Sequence, residues 1–541
     1  MNQRLLAVAL SIGLIGTTFS APARANDELG GGQKIKHVLL ISVDGLHALD
    51  VANYVAAHPH SALAELAGHG ITYSNARTPA NSDSFPGLLA LITGGSPISH
   101  GLFYDVSYNR GIFDPTNTTC SGQVGNMQVF DESIDKYSGT PPVSLNVIDP
   151  NALPNHLDEN GNCVRLFPHN AMKSNTIFEV VKANGGHTAW ADKHPAYDIA
   201  NGPSGKGVDD LYTPEITNFG GFDNTVSVVC TVENDQKKVV GILNEIKGLR
   251  HDGTPGTGTP TVFGMNFQGV SVGQKLSTDN AAGGCADDTM FTGKPGGYKD
   301  GLGTPTDVLE YALEQTDAAL ASMIQGLKVQ HIYDSTLFIV SAKHGQSPIN
   351  PTKINKPGHF ADLVAALPDA ATNGGAIAIA NANACNPPAQ QACGFVQDDD
   401  IALIWLADQS QTAAAAAYLN ANANALFIDE VMAGNEINLK FNSPLTDSAT
   451  PDIIVQPIYG TVYTHSTAKN AEHGGFSFGD TNVGLIVSNP ALHSRVVKTP
   501  VATSQVAASL LKALGIDPSE LQAVQKEGTE VLPFLFGGDG K

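Results

Sequence analysis

The chain has 541 residues, 30 Lys and Arg against 52 Asp and Glu, a net charge of −22, and 42% apolar against 15% charged residues. This composition excludes a disordered or coiled-coil protein and predicts a globular one with a large core. No run of Lys or Arg exceeds two residues, which excludes nucleic-acid packaging and leaves no basic patch for anionic lipid.

Arg4, an apolar run over 5–15 and Ala23-Arg24-Ala25 read as a secretory signal peptide cleaved after Ala25. The run is shorter than the roughly 20 residues of a bilayer span, and an Ala-x-Ala site follows it. Removal of Arg4 and Arg24 leaves 28 − 52 = −24 for a mature chain expected to be soluble and periplasmic or secreted. Six cysteines in an exported chain predict disulfides, and pairing in sequence order gives Cys120 with Cys163, Cys230 with Cys285 and Cys385 with Cys393. None forms a Cys-x-x-Cys unit, which argues against a thiolate metal site.

His37-Val38-Leu39-Leu40-Ile41-Ser42-Val43 is short, β-branched and stopped by Asp44-Gly45, which predicts a buried parallel strand. A helix is predicted over about 61–67. Asn81-Ser82-Asp83-Ser84-Phe85-Pro86-Gly87 opens another, closed by Gly94-Gly95. Ser84 stands at its start, where the positive end of the helix dipole favours an alkoxide. Residues 105–170 and 195–300, rich in Gly, Asn, Asp and Pro, read as long decorated loops. A strand over 187–191, with Trp190 in the core, runs into Asp192 and His194, and another is predicted over 261–267.

A helix over 305–328, with Leu309, Leu313, Leu320, Ile324 and Leu327 on one side, leads into a strand over 336–342 that ends at Lys343-His344-Gly345. The stretch 354–445 reads as an inserted α+β subdomain: an Ala-rich strand, a cysteine-closed loop, a strand over 401–406 and a helix over 413–423. A strand over 483–488 and a helix over 503–514 belong to the segment 446–541, which completes a core begun at 35–353. Alternating strands and helices define the fold class as α/β, a mainly parallel, doubly wound sheet. Asp209-Asp210 and Asp398-Asp399-Asp400 read as solvated turns, since no EF-hand pattern surrounds them.

Ligands of such sheets bind beyond the carboxyl ends of the strands, so Asp44, Asp192, His194 and His344 are the residues to inspect. The blocks Ser42-Val43-Asp44-Gly45, Asp83-Ser84-Phe85-Pro86-Gly87, Ser99-His100-Gly101, Ala342-Lys343-His344-Gly345, Glu472-His473-Gly474-Gly475 and Leu514-Gly515-Ile516-Asp517-Pro518 span nearly the whole mature chain. In order and spacing they resemble the alkaline phosphatase superfamily, most closely its type I phosphodiesterase/nucleotide pyrophosphatase family. The resemblance implies an alkaline-phosphatase-type sheet and two zinc ions that bracket a phosphoryl group. It implies Asp44 and His344 as ligands of the nucleophile-side ion, Ser84 as nucleophile bound to that ion, and His473 as a ligand of the second.

Three positions depart from the family. Lys343 stands where the family has a further metal-binding Asp. Val270 and Gln274 fall on the family's Asp-x-x-x-His pair, and Asp105 falls on its phosphate-contacting Asn. One zinc is therefore expected, with the second lost or weakened. Lys343 is expected to supply a fixed positive charge to the phosphate, or else to pair with Asp105. Asp105, Asp192, His194 and Gln274 are candidates for phosphate contact or replacement ligation. The expected function is an exported, metal-dependent hydrolase of small phosphate esters, diesters or nucleotide pyrophosphates, working through a phospho-Ser84 intermediate. A phosphomonoesterase or sulfatase-like enzyme, and a non-catalytic binding protein, are the alternatives.

Overall fold

His37–Val43 is apolar on both faces, and six of its seven residues are buried. Such a strand is stable only between neighbours and beneath helices on each side. In the computed structural model it is the centre of an eight-stranded sheet. The strands, in chain order, are β1 (His37–Val43), β2 (Gly70–Tyr73), β3 (Thr188–Ala191), β4 (Asp210–Tyr212), β5 (Val262–Phe267), β6 (Thr336–Ser341), β7 (Ile486–Ser488) and β8 (Arg495–Val497). They lie in the order β4-β3-β5-β1-β6-β7-β2-β8. The structure describes residues 29 and 34–536, apart from 80, 141, 218–220, 283, 286 and 371–393. The expected leader, the Ala-rich strand of the insert, Cys385 and Cys393 lie outside the described residues.

From β4 to β6 every pairing is parallel. β7 is antiparallel to both β6 and β2, so the sheet is mostly parallel with one reversed strand. The strand expected over 483–488 is in fact two pieces. Asn482–Val483 joins a small three-stranded sheet, and Gly484, packed against Val51 and Leu46, separates it from β7.

Three helices matter for the site: α1 (Ser84–Thr93), α2 (Val228–Ile246) and α3 (Asp307–Val329). Every residue of α1 is buried, as suits a helix that is apolar all round. Asp83 caps its start and Gly94, in the left-handed region, ends it. α3 buries Leu309, Leu313, Leu320, Ile324 and Leu327, the face its periodicity indicates. α2 corrects the reading of 195–300 as loop. Val228, Val232, Val239, Ile242 and Ile246 follow helical spacing and pack inward, although the Gly- and Asp-rich flanks dominate the composition. The 105–170 region folds into three short antiparallel hairpins. Disulfides join Cys120 to Cys163 and Cys230 to Cys285, the sequence-order pairs.

A second sheet, fully antiparallel, has the order Phe395–Asp398, Ala402–Trp405, Ile453–Pro457, Ile428–Ala433. Alternation along Ala402–Trp405 sends Ala402 and Ile404 into a cluster with Tyr418 and Leu419, and sends Leu403 and Trp405 against Phe103, Tyr104 and Tyr108. The segment 103–108 is thus gripped by this sheet. The acidic runs are not solvated turns. Asp400 is buried beside Asp480, Asp398 accepts the amide of Phe360, and Asp210 binds Arg250 and His251. Among the described residues no helix is long and apolar enough to cross a membrane.

Candidate active site

Four parallel strands end at one level. Val43 lies beside Phe267, Ser42 beside Ser341 and Ala191 beside Met265. The residues just beyond them, Asp44, Asp192 and Lys193, Gln268, and Lys343 with His344, therefore meet at the carboxyl edge of the sheet. Gly45 has φ of +81°, and a Cβ there would lie 2.3 Å from Gln274 Oε1, so the turn after Asp44 requires glycine.

α1 brings Ser84 to this edge. A Cβ on Gly87 would stand 1.8 Å from the carbonyl oxygen of Lys343, so the first turn of α1 rests directly on that backbone. Ser84 Oγ then lies 3.2 Å from His344 Nε2 and 3.4 Å from Lys193 Nζ. His344 Nδ1 is 2.8 Å from the carbonyl of Gly345. A carbonyl only accepts, so Nδ1 carries a proton and Nε2 is the nitrogen that faces Ser84.

Charge is concentrated on Asp44. Its Oδ2 accepts from Lys193 Nζ at 2.9 Å and Asn266 Nδ2 at 3.0 Å, with Lys343 Nζ at 3.5 Å. Two opposite charges about 4 Å apart attract by about 4 kcal/mol at an effective dielectric of 20. Burial alone would raise the Asp44 carboxyl, but Lys193, then Lys343 and His344, hold it well below the usual range. Burial likewise opposes the Lys193 ammonium, yet Asp44 and Asp192 raise it above an ordinary lysine. For Lys343 burial wins and lowers the group. Its ammonium reaches Asp192 at 3.2 Å and Tyr197 Oη at 2.8 Å rather than Asp105. Trp190, buried in the core, donates to the same Asp192.

His473 packs against His344 with ring centroids 3.8 Å apart and the planes tilted by 33°, and its Nδ1 lies 3.3 Å from Asp83 Oδ2. Burial and then His344 depress it, so it is a neutral imidazole. Gln274 is turned away from Ser84, its amide donating to Gly45 O, Asp50 and Tyr298. His194 pairs with Glu215 at 2.8 Å. Asp105 lines the same cavity as Ser84, Lys193, Lys275, Lys469 and His473, a cleft of about 240 Å³. Asp44, Asp192, Ser84, Lys343, His344 and His473 thus come together, Asp105 and His194 border the cleft, and Gln274 does not reach it. Sequence reasoning missed Lys193, Gln268, Tyr197 and the contact role of Asp83. A lysine immediately behind a strand end, as at Lys343, was the available signal for Lys193.

Burial and then Asp83 push the Asp105 carboxyl up to about 7. Below that pH it is neutral, and above it adds a negative charge to a cleft that must receive an anion. For an anionic diester, kcat/KM is expected to fall by roughly three- to ten-fold between pH 6 and 8. Asp105→Asn should flatten that step; a step of equal size in the variant would assign it elsewhere.

A serine on a helix start, basic side chains and an imidazole at the edge of an α/β sheet are parts that a hydrolase of phosphoric esters can use. The chain matches the type I phosphodiesterase/nucleotide pyrophosphatase family over residues 38–201 and 210–477, and it belongs to that family. No curated protein matches it in sequence. Among solved structures it resembles murine ectonucleotide pyrophosphatase/phosphodiesterase 5, an inactive form in complex with AMP, at 14% identity and a TM-score of 0.50, covering 89% of this chain and 96% of that one. A variant of the alkaline phosphatase PafA matches at 12% identity and a TM-score of 0.54, covering 90% and 96%. At these identities the likeness concerns the fold.

Proposed function

We propose that the chain is an exported hydrolase of phosphodiester or nucleotide pyrophosphate bonds that uses Ser84 as its nucleophile through a phosphoserine intermediate. The observation that carries the reading is Ser84 Oγ at the start of α1, within 3.4 Å of both His344 Nε2 and Lys193 Nζ and open to the cleft. In-line attack forms the Oγ–P bond as the bond to the leaving oxygen breaks, and water then cleaves Oγ–P. Lys193 is placed to stabilise charge on Oγ and on a non-bridging oxygen. Lys343, fixed by Asp192 and Tyr197, holds Asp44 charged. His473, with Asp83 behind it, is assigned to the leaving group, because it lines the same cleft as Ser84.

The family is metal-dependent, and one ion has a donor set here. Asp44 Oδ1 has no hydrogen-bond partner and lies 3.8 Å from His344 Nε2, which is also 3.2 Å from Ser84 Oγ. Carboxylate, imidazole and serine oxygen suit zinc. When bound by Asp44, Ser84 and His344, zinc supplies a lowered pKa for the Ser84 hydroxyl. A second ion of the family's kind lacks its ligands: Val270 is apolar, Gln274 is committed elsewhere, and His473 stands with Asp83 alone. Lys343 in the fourth ligand position weakens the first ion as well. Asp44→Asn is expected to remove one equivalent of zinc, and Lys343→Asp to tighten it roughly ten-fold or more. Unchanged zinc content in Asp44→Asn would refute the site.

A phosphomonoester reading has one observation in its favour, the lysines 193, 275 and 469 around the cleft, which suit a dianion. Matched nitrophenyl phosphodiester, phosphomonoester and sulfate substrates separate these readings. A diester preference is expected, a monoester preference would replace it, and inactivity on all three with zinc bound would point to a binding protein.

A further inference from the structure

On the wall of the same cleft, segments distant in sequence converge. Glu132 begins a short 3-10 turn, His194 follows β3 and Glu215 follows β4. One imidazole nitrogen and one carboxylate oxygen from each glutamate lie within 4.8 Å of one another. Glu215 is pre-oriented, since its Oε1 accepts from the amides of Ile216 and Thr217 and from Thr217 Oγ1, each at 2.8 Å. Both of its oxygens also approach His194 Nδ1, at 2.8 and 2.9 Å.

A second, independent feature is Asp135. It is 4% exposed and faces Glu215, yet its Oδ1 has no hydrogen-bond partner, while Oδ2 accepts from Ser144 at 3.0 Å. Two carboxylates therefore flank the imidazole, and a third, Asp135, stands against Glu215. Lys193, next to His194 in the chain, sends its ammonium away to Asp44 and Gln268. Buried carboxylates in mutual contact need a cation or a shared proton to offset their repulsion and lost hydration.

We propose that Glu132, His194 and Glu215, with Asp135 behind Glu215, bind a divalent transition-metal ion such as zinc, at a site separate from Asp44. One imidazole with carboxylates is a nitrogen and oxygen donor set of the kind zinc takes, and donors around zinc sit at 2.0–2.2 Å from it, about 3.5 Å apart. Glu132 and His194 line the cleft, which gives the ion an entry path. An ion there would also clamp Asp192-Lys193-His194, whose middle residue reaches Ser84.

The test is titration of zinc alone into chelator-stripped full-length chain, with bound metal counted after gel filtration. Asp44→Asn is expected to retain one equivalent, and adding Glu132→Gln and His194→Gln to weaken it by roughly 100-fold. No zinc in Asp44→Asn, or no change on adding the two substitutions, would overturn the proposal and show that the cluster shares a proton instead. Because Asp44 is buried and its variant could misfold, Glu132→Gln is also made alone, with the near-ultraviolet circular dichroism as the fold check. It should cost the chain one equivalent of zinc and leave the spectrum unchanged; full retention counts against the site. Zinc lost only through Asp44→Asn would instead support the Ser84 site and not this one.

Discussion

Ser84→Ala is expected to lower turnover of a nitrophenyl phosphodiester by about 10³-fold or more, with the melting temperature nearly unchanged. The hydroxyl reaches His344, Lys193 and Tyr197, and it does not cap α1, because Asp83 does so through the amide of Phe85. Alanine suits a helical position, and the backbone contact of Gly87 with Lys343 survives. The loss should therefore appear in kcat rather than in folding. A phosphoryl adduct trapped on Ser84 in acid-quenched wild type, and absent from the variant, would complete the assignment. Wild-type rates in Ser84→Ala would remove it.

The second large effect is expected at Lys193. Lys193→Met removes a donor 3.4 Å from the attacking oxygen and should cost about 10²–10³ in kcat, the scale of deleting one preorganised charge-stabilising group. It also takes one of two ammoniums from fully buried Asp44. Breaking a buried ion pair costs about 3–5 kcal/mol, but Lys343, 3.5 Å from the same oxygen, should hold the loss near the lower end. Lys193→Arg separates the two roles. It keeps the charge and should recover most of the stability, whereas its planar fork places its donors differently and should restore little of the rate. A variant whose stability and kcat recover together would mean that Lys193 only holds Asp44 in place.

Asp44 and His344 were conspicuous in the sequence because each follows the end of a strand and precedes a glycine, and Ser84 because it opens a helix. Lys193 was not. In so acidic a chain a lysine reads as surface, and its neighbours Asp192 and His194 drew the attention owed to metal ligands. Only the parallel register of β3 with β5 turns it inward beside Gln268. The helix α2 was hidden because Asn234, Asp235, Lys238 and Glu245, all buried, interrupt its apolar face. β7 was read as continuous with Val483 because composition carries no strand direction.

The seat of Gly87 on the carbonyl of Lys343 sets what can change around this site. The gap between Ser84 and His344 is fixed by main chain meeting main chain, a hard stop that no side-chain repacking adjusts. The hairpins and the second sheet can therefore be altered to admit another leaving group while the attacking distance stays the same. A larger residue at position 87 would act like a shim in a bearing, lifting the whole helix start away from its partner. Substrate range and chemical competence are thus separately adjustable, and selection for new esters should accumulate in the rim while position 87 stays glycine.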